Sequence, residues 1–74
     1  MQRTQLSNCN YNITKQLDKK LQFLWAVDQY IRDAENEGRS NCAEMFRNIK
    51  TDEEKHVEML KDEITKLSRQ GKFA

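Results

Sequence analysis

One glycine, Gly38, is the only break in a chain that contains no proline and whose other glycine, Gly71, stands close to the C-terminal end. Proline and glycine are the strongest interrupters of helices, so their scarcity favours long helices over strands and turns. Glu35-Asn36-Glu37-Gly38 reads as the end of a first helix, the glycine suiting the left-handed position that follows a helix C-terminus. The spacing predicts this helix over residues 14–37, capped by Asn12 or Thr14. Its apolar stripe is Leu17, Leu21, Leu24, Val27, Ile31 and Ala34, widened by Phe23, Trp25 and Tyr30. Asn41, followed by Glu44, predicts a capping box at the start of a second helix that runs to Ser68. So short a connection folds the two helices back on each other as an antiparallel hairpin.

The flanks differ from the hairpin in pattern. Residues 1–13 are polar and aperiodic and predict a flexible N-terminal arm, residues 14–69 the hairpin, and residues 70–74 a frayed C-terminus. A chain of 74 residues is too short for a comfortable core, and a hairpin buries only one seam. The expected fold is therefore all-α, an antiparallel two-helix hairpin that pairs with at least one further copy into a four-helix bundle.

Charge narrows the partners. Thirteen Lys and Arg against twelve Asp and Glu leave a net charge of +1, with the signs interleaved, which matches neither a nucleic-acid patch nor a polybasic membrane anchor. No apolar run approaches the roughly 20 residues of a membrane span, and the polar N-terminus lacks the apolar region of a signal peptide. The expectation is a cytoplasmic homo-oligomer with no nucleic-acid or membrane partner. Cys9 and Cys42 form no Cys-x-x-Cys pattern, Cys42 reading as a small core residue and Cys9 as a free thiol.

Chemistry concentrates in Asp52-Glu53-Glu54-Lys55-His56. The apolar stripe of the second helix, Cys42, Phe46, Ile49, Leu60, Ile64 and Leu67, continues through its gap onto Glu53 and His56. Two ionisable groups three apart on an apolar face are paired, neutralised or metal-bound. In one reading, the Glu53 and His56 of paired chains hold a transition metal, iron, manganese or zinc. In a second, Lys20 on the first-helix stripe forms an ion pair with Glu53, with His56 as hydrogen-bond partner, and the protein is a metal-free scaffold. In a third, both residues face solvent and the hairpin is an interaction module. Neither cysteine has a base at a readable spacing, and no Gly-rich phosphate loop is present.

Ala34-Glu35-Asn36-Glu37-Gly38, Ala43-Glu44-Met45-Phe46-Arg47 and Glu53-Glu54-Lys55-His56 with Leu60 resemble the first helical hairpin of the rubrerythrin branch of the ferritin-like superfamily. Ala26-Val27-Asp28 and Asp52-Glu53-Glu54-Lys55 are similar to the encapsulated ferritins, half-ferritins that complete a four-helix site by dimerising. The resemblance spans roughly residues 20–67. It implies a ferritin-like four-helix bundle, with a di-iron site used for iron oxidation, iron storage or peroxide reduction. Glu53 and His56 would be metal ligands and the protein a possible oxidoreductase, a ferroxidase or peroxidase. The family's first-helix glutamate falls on Lys20 or on Phe23 here, and neither supplies a carboxylate.

Overall fold

The computed structural model describes residues 7–73, which form two helices and, within that range, no strand. Helix α1 spans Asn8–Asn36 and helix α2 spans Ser40–Arg69. They pack along their whole length as an antiparallel hairpin about 50 Å long, 27 Å wide and 13 Å thick, a slab one helix deep.

Helix α1 begins well before the expected Thr14. Ser7 is its N-cap, the hydroxyl accepting from the Asn10 amide at 3.0 Å, so Asn8 to Ile13 already run as helix. Residues 7–13 of the expected arm are thus structured, while residues 1–6 lie outside the described range. Two of them are buried, Asn10 and Ile13. The Asn10 side-chain amide donates to the Lys72 carbonyl at 2.8 Å, which satisfies a buried polar group and fastens the start of α1 to the end of α2.

Both helices end in the same backbone device. Gly38 adopts φ +71°, its amide donates to Glu35, and Arg39 reaches back to the Ala34 carbonyl at 2.9 Å. Gly71 adopts φ +69°, its amide donates to Ser68, and Lys72 reaches back to Leu67 at 2.8 Å. These are paired Schellman caps, which need a residue free of left-handed strain at the glycine. The second cap lies within residues 70–74, where a frayed end is expected, and Ala74 is outside the described range. The expected Asn41–Glu44 capping box does not form. Because Arg39 closes the first cap, α2 starts directly at Ser40 with Arg39 as N-cap and no side-chain cap bond, which puts Asn41 inside the first turn.

The seam follows strictly alternating steps of three and four. On α1 it is Asn10, Ile13, Leu17, Lys20, Leu24, Val27, Ile31 and Ala34, and on α2 Ala43, Phe46, Lys50, Glu53, Val57, Leu60, Ile64 and Leu67, every one of them buried or half-buried. This is the 3.5-residue repeat of a coiled-coil seam. It shifts the expected stripes. Leu21, Ile49 and His56 fall on the flanks and are exposed, while Lys50 and Val57 take seam positions beside the expected Lys20. The two lysines qualify because their methylene stems cover apolar surface while the ammonium reaches the edge.

The flanks differ chemically. Residues just after the seam, Asp28 and Glu35 on α1 and Arg47 on α2, lie on one side, crossed by ion pairs from Lys50 to Asp28 at 2.8 Å and from Arg47 to Glu35. Residues just before it, Phe23, Tyr30, Cys42, Ile49 and His56, lie on the other. There Phe23 meets Tyr30 edge-on at 6.2 Å and Tyr30 tilts onto Phe46 at 5.5 Å. No helix among the described residues is long and apolar enough to cross a membrane.

Candidate functional site

Halfway along the hairpin the seam holds one residue of each charge. Lys20 and Glu53 face each other from α1 and α2, and Lys20 Nζ donates to Glu53 Oε1 at 3.1 Å. One turn along α2, His56 Nδ1 lies 2.8 Å from the same oxygen. A carboxylate oxygen only accepts, so with Glu53 ionised the imidazole carries a proton on Nδ1 and turns Nε2 outward. Glu53 is 20% exposed and His56 51% exposed, so the pair runs from the seam to the surface. Met59 and Leu60 complete a shallow hollow with Lys20 and His56.

The electrostatics favour the charged state. The hydrogen bond from His56 holds the Glu53 carboxyl below its ordinary 4.5, against desolvation that pushes it up, with the bond and charge of Lys20 adding to the depression. A carboxyl with a lowered folded-state pKa contributes stability that is complete above its unfolded value and is lost as pH falls through the folded one. Stability is therefore expected to fall below about pH 4.5, and to fall less steeply there in Glu53→Gln, as read from urea midpoints against pH.

Of the sequence-derived candidates, the structure brings Glu53, His56 and Lys20 together. It does not bring in a further carboxylate. Asp28 is engaged by Lys50 on the opposite side, a bond that holds its carboxyl below the usual range, and Asp18 accepts from Gln22 on its own helix. Phe23 is turned onto Tyr30. A transition metal fits this donor set poorly. Within one chain it meets one carboxylate and one imidazole, the carboxylate oxygen already carries an ammonium, and no group of three ligating side chains occurs among the described residues. Cys9 and Cys42 are both free thiols, Cys42 half-buried beside Tyr30 and Phe46.

Asn10 and Lys50 went unread as seam residues because both are polar. Admitting a lysine to the stripe of each helix is the signal that recovers the strict three–four alternation. Comparison with protein-family models, with curated proteins and with solved structures returns no match for this chain.

Proposed function

We propose that this protein is a metal-free structural hairpin that works by self-association, with Lys20, Glu53 and His56 forming a polar clasp at mid-length. The observation that carries this is the convergence of Lys20 Nζ and His56 Nδ1 on one oxygen of Glu53, which uses the carboxylate as an ion-pair acceptor. The ammonium supplies the positive charge that a metal would otherwise bring to a half-buried carboxylate. On the ferritin-like resemblance, the fold would be that of a four-helix bundle whose first-helix carboxylate has been replaced by Lys20.

A second reading rests on the outward edge of His56. Two chains would together offer two imidazoles and two carboxylates, enough for iron, manganese or zinc if Lys20 swings away. Native mass spectrometry after anaerobic loading with ferrous iron, and separately with manganese and zinc, distinguishes the two. The expected result is a homodimer without bound metal. One or two metal ions per dimer, absent from His56→Ala, would overturn the metal-free reading.

A further inference from the structure

We infer that the side of the hairpin bearing Phe23, Tyr30, Ile49 and Met59 docks a second copy of this chain, closing over the Lys20–Glu53–His56 clasp. The inference rests on the self-association proposed above and assigns it a face.

A slab 13 Å thick leaves its seam open to water on both broad sides, so most of the sixteen seam positions are only half-buried and, among the described residues, Val27 alone is a large side chain fully enclosed. Both broad sides, roughly 50 by 27 Å, exceed the ~800 Å² that a stable complex covers on each partner. They are not equivalent. On the Asp28 side, Leu21 and Trp25 of α1 are exposed, but α2 contributes Arg47, Glu54 and Lys61, and two ion pairs bridge the helices. On the Phe23 side both helices contribute apolar groups. Tyr30, Met45, Ile49 and Met59 are exposed there, Met59 at 66%, and two surface hollows open on it, one at Tyr30, Cys42 and Phe46 and one at Met59, Leu60 and His56.

Two features fit a second copy as occupant. The charges bordering this side, Lys19 and Lys66 against Asp33, Asp52 and Glu63, are of both signs, so an identical surface is not repelled as it would be by a single-sign patch. The clasp also lies at mid-length, near Gln22, the centre of α1, and near the Glu54–Lys55 bond, the centre of α2. Any twofold arrangement with full overlap therefore sets clasp beside clasp. An isologous interface buries each element twice. The open edge of His56 in one chain is then covered by the other, which the single hairpin lacks.

The test is sedimentation equilibrium on the full chain, with helicity followed by circular dichroism. Wild type is expected to dimerise, and Met59→Lys and Ile49→Lys are each expected to weaken the dimer by roughly 30-fold or more without loss of helix. Trp25→Lys and Leu21→Lys, on the opposite side, are expected to leave it intact. Met59 is largely exposed in the single hairpin, so its variant folds whatever the fate of Ile49→Lys. A wild-type monomer at about 100 μM, weaker than the micromolar range of specific complexes, overturns the interface and self-association together. A dimer that survives Met59→Lys, or is lost in Trp25→Lys, overturns the assigned face alone. Metal uptake would overturn the metal-free reading and leave this interface standing.

Discussion

Glu53→Ala is expected to cost the hairpin about 2–4 kcal/mol, roughly twice the cost of Lys20→Ala. The asymmetry follows from the geometry. Glu53 Oε1 is the common acceptor, so removing it leaves the Lys20 ammonium without a partner at a half-buried position and the exposed His56 Nδ1–H without its acceptor. Removing Lys20 leaves the carboxylate still bonded to His56. All three groups retain some solvent access, which holds the costs below those of a fully enclosed pair. Urea unfolding of both single variants and the double variant gives the coupling energy. Equal costs for the two single variants, with no coupling, would show that the clasp contributes nothing to folding. The double replacement Lys20→Met with Glu53→Leu is expected to match or exceed wild-type stability, because an apolar pair of similar volume avoids desolvating two charges.

Val27→Asp is expected to abolish cooperative folding, whereas Leu21→Asp is expected to cost less than about 1 kcal/mol. Val27 is fully enclosed at the centre of the seam, and a carboxylate there would be desolvated among apolar groups, at several kcal/mol. Leu21 stands on the flank, 48% exposed, where an aspartate stays hydrated. The contrast tests the register directly, since both leucine and valine lie on a stripe drawn from apolar residues alone. Thermal melts of the two variants decide it, and similar losses in both would contradict the seam described above.

Much of the architecture was legible because it rests on local signals. Gly38 stops α1 where a left-handed residue is required, and long proline-free segments on either side leave helix as the only consistent choice. The clasp was legible too, since Lys20, Glu53 and His56 interrupt apolar rhythms at steps that place them on helix faces. The register was harder. A 3.6-residue period follows Ile49 and His56, whereas a 3.5-residue seam passes through Lys50 and Val57, and over a 30-residue helix the two drift apart. The start of α1 was hidden because Ser7 caps a turn whose one buried polar residue, Asn10, finds its acceptor 62 positions away at Lys72. No window on the chain contains both.

That long-range bond gives the hairpin a direction of closure. Ala34 and Ala43, both buried, are the seam residues that flank the turn, and each further layer of the seam closes a longer loop than the one before, at an entropic cost that rises slowly. Helix pairing can therefore proceed as a zipper from Gly38 outward, with Asn10 and Lys72 as the final latch. The last layer to form is the first to reopen, so amide exchange should quicken from the turn toward the latched end.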